Sequence, residues 1–229
     1  MASFPGRSRS EGGYGCTRMQ VDLRGGAGRI QALVEEPARG VAPRFAALVL
    51  HPHPLFGGSM HGHATHRIAR AARRTGGATL RMNFRGVGLS AGRHDAGEGE
   101  SGDARVAVGW LAGRYPALPL FTSGFSFGSW IALRVGCADD RVRGILAAGV
   151  ASRTFDLEFL PGCDRPVAAV QAANDEFGSV EQVRQLLAGP PLRRRLAVVE
   201  KATHLFAEDL EGLEREAALS WEWLLGVAA

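Results

Sequence analysis

Two stretches of the chain, GLSAG (Gly88 to Gly92) and GFSFG (Gly124 to Gly128), match G-x-S-x-G. That pattern forms a tight strand-to-helix turn which lifts a serine hydroxyl clear of the backbone, where it can attack a carbonyl carbon. A hydroxyl is a weak nucleophile near neutral pH. The serine therefore needs a general base, and the base needs an acid to orient it. With 31 glycines in 229 residues, so loose a pattern arises by chance roughly 0.2 times per chain, and context has to decide. Ser126 ends the apolar run LPLFTSGF and leads at once into the helical stretch FGSWIALRVGCADD. Ser90 stands several residues beyond GATLRMNF and precedes AGRHDAGEGESGD, which reads as a glycine-rich loop. Ser126 is the expected nucleophile.

In this chemistry on an α/β sheet the chain order is serine, then acid, then histidine. His204, in KATHLF, is the only histidine after Ser126. The acid should end the preceding strand, VAAVQAANDEF, where Asp175 fits and Glu176 is the fallback; Asp156 and Asp164 lie between strands. The oxyanion formed on attack needs N–H donors. The backbone N–H of Phe127 is one. The second comes from HPHPLFGGSMHGH, where Pro52 and Pro54 cannot donate and His53, Leu55 and Phe56 remain open. His53, Phe155 and Phe206 are expected to line the substrate site.

Positioning these residues takes alternating elements. TRMQVDLRG and GRIQALVEEP, joined by a glycine turn, predict an antiparallel opening hairpin. FAALVLH is a continuous apolar run, the mark of a strand buried on both faces. HGHATHRIARAARRTG is helical, GATLRMNF a strand, SGDARVAVGWLAGRYP helical and LPLFTSGF a strand. After the FGSWIALRVGCADD helix come strands VRGILAAGVA and RPVAAVQAAND, helix SVEQVRQLLAG, strand RRLAVVEKA and helix EDLEGLEREAALSWEWLLGV. Repeated β-α-β units predict a mostly parallel sheet with helices on both faces, and a ligand site at the carboxyl ends of its strands. About sixteen residues separate Val150 from Pro166, too few for a helical cap domain where a plain parallel crossover already needs about a dozen. Phe155, Leu157, Phe159 and Leu160 in that segment could wall a short acyl pocket or pack into the core.

Other classes fit less well. Net charge is +4, but Lys201 is the only lysine among 27 scattered basic residues. No basic stripe or aromatic platform accompanies the charge, so no nucleic-acid partner is expected. No apolar run reaches spanning length, so no membrane partner is expected. Residues 1–16 read as a flexible tail without a leader's apolar region, and 17–229 as one domain. Cys16, Cys137 and Cys163 are odd in number and widely spaced, which argues against a disulfide scaffold and for a reducing compartment, the cytoplasm. Five of seven histidines fall between His51 and His66. They invite a metal reading, but no carboxylate stands at matching spacing and H-E-x-x-H is absent. No cofactor is expected, and monomer and homodimer both stay open.

HPHPLFGGSM, RMNFRGVGLSAG and GFSFGSWIALR together resemble the α/β-hydrolase superfamily, and within it small bacterial hydrolases similar to dienelactone hydrolase. The resemblance covers residues 18–226. It implies an eight-stranded sheet with one antiparallel strand near its start, and Ser126, Asp175 and His204 as the triad of a serine hydrolase. It also accounts for Ser90, since R-G-x-G-x-S is a common loop in that superfamily. The expected reaction is cleavage of a carboxylic ester, thioester or small amide in a small molecule through an acyl-enzyme. A non-catalytic binding protein on the same fold, and a metal-dependent hydrolase built on the His51–His66 cluster, are the alternatives.

Overall fold

The computed structural model describes residues 16–38, 40–188 and 193–228. The expected tail lies outside these residues except for Cys16, where β1 begins.

An eight-stranded sheet forms the centre, with spatial order β1-β2-β4-β3-β5-β6-β7-β8. β1 (Cys16–Gly25) and β2 (Gly28–Ala38) make the opening hairpin, and β2 pairs antiparallel with β4 (Gly77–Met82) as well. β2 is thus the one reversed strand. β3 (Phe45–Leu50), β5 (Leu120–Phe125), β6 (Val142–Ala148), β7 (Val167–Asn174) and β8 (Arg194–Thr203) continue in parallel from β4. Every residue of β3, β4 and β5 is buried. Helices cover both faces there, which is why β3 reads as an unbroken apolar run rather than an alternation.

α1 (His63–Arg74) and α5 (Leu210–Val227) cover one face, with Ile68, Leu213, Trp221 and Leu224 in a common cluster. α2 (Glu98–Arg114), α3 (Phe127–Ala138) and α4 (Val180–Leu186) cover the other through Val108, Leu111, Ile131, Val135 and Val183. α2 begins inside the stretch read as glycine-rich loop. Glu100, fully buried, accepts the Gly97 N–H at 2.9 Å and the Asp95 N–H at 3.0 Å, capping the first turn with a carboxylate. That capping interaction starts the helix where apolar periodicity is still missing.

Between β6 and β7 the chain runs through residues 149–166 with one 3-10 turn, Leu160–Gly162, and no cap domain. Leu157 and Leu160 are buried in the core, and Phe155 stacks face to face on Trp130 (4.8 Å, 10°). Trp130 Nε1–H also donates to the Asp156 carbonyl at 2.8 Å. One expectation fails here. Cys137 at the end of α3 and Cys163 just after the turn form a disulfide, with Cα atoms 5.2 Å apart. Twenty-six residues separate them in sequence, but α3 and the β6–β7 segment pack side by side and bring them within bonding geometry. The inference of a reducing compartment from unpaired cysteines loses its support. No helix among the described residues is long and apolar enough to cross a membrane.

Candidate active site

β5 ends at Phe125 and α3 starts at Phe127, so Ser126 alone makes the corner, at φ 55° and ψ −119°. That is a left-handed φ held by a residue with a side chain, a strained conformation that the surroundings must enforce. They do so through two glycines. A Cβ on Gly124 would stand 2.2 Å from the Gly128 carbonyl oxygen, and one on Gly128 would stand 2.5 Å from the carbonyl oxygens of Leu50 and His51. The motif's glycines are therefore contact requirements: strand, helix and β3 approach too closely for any side chain.

His204 follows β8, and its Nε2 lies 2.8 Å from Ser126 Oγ. Its Nδ1 lies 2.9 Å from both carboxylate oxygens of Asp175, which follows β7. A carboxylate only accepts, so Nδ1 carries the proton and the Nε2 lone pair faces the serine hydroxyl. Asp175 and His204 are each 5% exposed. Rings of Phe125 (5.3 Å) and Phe177 (4.7 Å) flank the imidazole. Ser126 and Asp175, 78 and 29 residues before His204 in sequence, thus meet it at the carboxyl edge of the sheet.

Asp175 is itself held. Its Oδ1 accepts the Phe177 N–H at 2.9 Å and its Oδ2 accepts from Gln171 Nε2 at 2.8 Å. Gln171, fully buried, also donates to the Gly178 carbonyl and accepts the Val150 N–H through Oε1, both within 2.8 Å. Sequence reading passed over Gln171. The signal was present: an amide in the middle of the apolar run VAAVQAA must find partners when buried. Gly149, at φ 55°, was likewise missed; a Cβ there would meet the Phe125 ring at 2.7 Å and His204 Cε1 at 3.4 Å. Glu176, the fallback acid, touches His204 only at its backbone, where Oε2 accepts the N–H at 3.4 Å.

Around the other side of Ser126 the 3-10 turn Pro54–Phe56 carries the expected second N–H donors. Leu55 N–H donates to His53 Nδ1 at 3.2 Å, and Phe56 N–H donates to the His53 carbonyl at 3.1 Å. Phe127 is the first residue of α3, where an N–H has no intrahelical acceptor. The His53 ring lies 5.1 Å from that of Phe127 and 4.8 Å from that of His94. Burial, and then the neighbouring His94, push the His53 pKa down. Phe155 is half-buried, 5.6 Å from Phe127. Phe206 is fully buried and packs edge-on beneath Phe125; closed off from solvent, it backs the site rather than lining it.

Ser90 has other work. Its Oγ donates to the Asn83 carbonyl at 2.7 Å and accepts the Gln31 N–H at 3.0 Å, tying the β4–α2 loop to β2. The histidine cluster is divided among separate tasks too. His51 is buried under the turn, with Nδ1 against the Pro52 carbonyl and Nε2 accepting the Phe84 N–H, while His63 opens α1. Among the described residues no three His, Cys, Asp or Glu side chains are grouped as ligands of one metal ion.

Comparison with known proteins agrees with this geometry. An α/β serine hydrolase homologue from Coxiella burnetii superposes with a TM-score of 0.82 at 27% identity, over 88% of this chain and 96% of that one. An α/β serine hydrolase without a lid from Xanthomonas campestris gives 0.80 at 28% identity, over 91% and 94%. An uncharacterised protein of Rickettsia prowazekii is 36% identical over 172 residues, 73% of this chain and 71% of that protein. The chain belongs to the α/β hydrolases and is close to the small lidless ones of bacteria. No protein-family model matches it. The β6–β7 segment, residues 149–166, carries one 3-10 turn and no cap domain.

Proposed function

We propose that this hydrolase cleaves small carboxylic esters, with thioesters and small amides as related substrates, through an acyl-enzyme on Ser126. The observation that carries the reading is the 2.8 Å contact between Ser126 Oγ and His204 Nε2, at a strained corner, with both Asp175 oxygens on the far side of the imidazole. Ser126 Oγ attacks the carbonyl carbon while His204 Nε2 takes the hydroxyl proton. Asp175 keeps the imidazole in the tautomer that accepts it. His204 then returns the proton to the leaving alkoxide, and water repeats the sequence to free the acid.

For the developing oxyanion the proposed donors are the N–H groups of Phe127 and Leu55. Leu55 is preferred over Phe56 because its present acceptor is a side chain that can swing aside. The Phe56 N–H closes the turn onto backbone. His53 and Phe155 are the proposed walls for substrate, and residues 17–229 the proposed single domain.

The test is a fluorophosphonate probe, which phosphonylates activated serines without any need to know the substrate. Labelling is expected in the wild type and in Ser90→Ala, and lost in Ser126→Ala and His204→Ala. Undiminished labelling of Ser126→Ala would refute the assignment.

A further inference from the structure

Helix α1 carries four arginines and no acidic residue: Arg67, Arg70, Arg73 and Arg74. They divide between two carboxylates. Glu214 of α5 receives Arg67 (2.8 Å), Arg70 (3.3 Å) and Arg74 (3.1 Å). Glu35 of β2, fully buried, receives Arg73 (2.9 Å), Arg81 (2.6 Å) and Arg18 (2.9 Å). Six guanidinium groups thus face two carboxylates, an excess of four positive charges, equal to the formal net charge of the whole chain, +4.

Between the two nodes, α1 and the end of β2 enclose a cleft of about 520 Å³ lined by Pro37, Ala38, Val41, Gly76, His66, Arg70, Arg73 and Arg74. Among the described residues three arginines and a histidine line it, and no acidic residue does. The cleft shares no residue with the loops that carry Ser126, Asp175 and His204. Arg70 gives Glu214 only its Nε, and Arg74 gives it one terminal nitrogen. Each guanidinium has five N–H donors in a fixed fork suited to phosphate oxygens. Arg70 and Arg74 are 46% and 67% exposed, so those donors face water.

The competing explanation is that basic residues in the last turn of a helix only offset its dipole. That dipole amounts to about half an electron charge, which a single arginine exceeds. The local field also acts on its neighbour: burial first, and then Arg81 and Arg73, push the His66 pKa down despite the Glu35 carboxylate.

From the cleft and its lining we infer a second binding site on this protein, for a small anion bearing two or more phosphate charges. The chemistry is guanidinium-to-phosphate pairing by Arg70 and Arg74, with Arg73 and His66 supplying field and wall. The assignment is independent of the ester-hydrolase reading.

The experiment is calorimetric titration of the full chain with pyrophosphate in low-salt buffer, beside Arg70→Gln/Arg74→Gln, Arg74→Lys and a control, Arg184→Gln on α4 at the opposite face. Saturable one-to-one binding is expected. It should weaken about tenfold or more in the double variant, by the usual worth of a charge-assisted hydrogen bond, and be unchanged in the control. Arg74→Lys keeps the charge and loses the fork, and should weaken binding by about threefold. Since Arg74 is the most exposed member, that variant tests the site even if the double variant melts early. No saturable heat with pyrophosphate overturns the inference. Equal weakening by Arg184→Gln overturns it too, because it would mean diffuse attraction to a basic protein.

Discussion

Gly124 and Gly128 explain why only one of the two G-x-S-x-G stretches bends into an elbow: around Ser126 both glycines are pressed against backbone. Around Ser90 the serine is tied into a loop by two hydrogen bonds. The strain at Ser126 has a measurable consequence. Glycine adopts φ 55° without penalty, whereas alanine keeps the strain of about 1 kcal/mol or more. Ser126→Gly and Ser126→Ala should both be inactive, and the glycine variant should melt higher by about 2–4 °C, the shift expected per kcal/mol at this chain length. Equal melting temperatures would mean the corner stores no strain. Gln171 supports the acid rather than touching substrate. Gln171→Met removes a hydrogen bond to the Asp175 carboxylate, and kcat should fall about tenfold at nearly constant KM; a change confined to KM would assign Gln171 to substrate binding instead. The three residues that meet at the sheet edge, Ser126, Asp175 and His204, were legible because chain order and strand ends single them out. Gln171 was not, because its role depends on which loop folds over its strand.

At the scale of elements the decisive one is the connection through residues 149–166. It packs down on α3 through Phe155, Leu157 and Leu160 and is tied by the Cys137–Cys163 bond, so it does not rise over Ser126. An acyl chain extending from an uncapped site stays largely in water, and each methylene so exposed forgoes about 0.8 kcal/mol. Remote binding energy is what lowers the barrier at the reacting carbon. On p-nitrophenyl esters kcat/KM should therefore peak at short acyl groups, about two to six carbons, and fall at twelve. A maximum at twelve carbons would show that another surface supplies the missing wall. Strands β3, β6 and β7 were legible as apolar, buried segments bounded by turn residues. The start of α2 was hidden because Glu100 fixes it through capping, a contact without periodicity. The disulfide was hidden because sequence spacing does not report which helix lies beside which loop.

Taken as a whole, the molecule should respond to acid through groups that folding keeps uncharged as well as through its carboxylates. His51 is fully buried, and burial lowers its pKa from 6.5 to about 4. Between those values the unfolded chain binds a proton that the folded chain refuses. Stability is thus complete above pH 6.5 and declines toward pH 4, by about 3 kcal/mol for a shift of this size. Denaturant unfolding across that range should show the decline, and His51→Gln, less stable at neutral pH, should flatten it. A variant with an undiminished slope would clear His51 of the effect. Glu35 acts in the same direction lower down: burial raises its pKa, but Arg73 and Arg81 outweigh that and hold it below 4.5. Its stabilisation is lost as pH falls through that lowered value. A different consequence follows from where His204 sits, just after the edge strand β8. During synthesis the ribosome delivers the serine first, the acid 49 residues later and the imidazole last. Until β8 docks, the nascent chain holds Ser126 without its imidazole partner, and the proposed triad is complete only with the sheet's final strand.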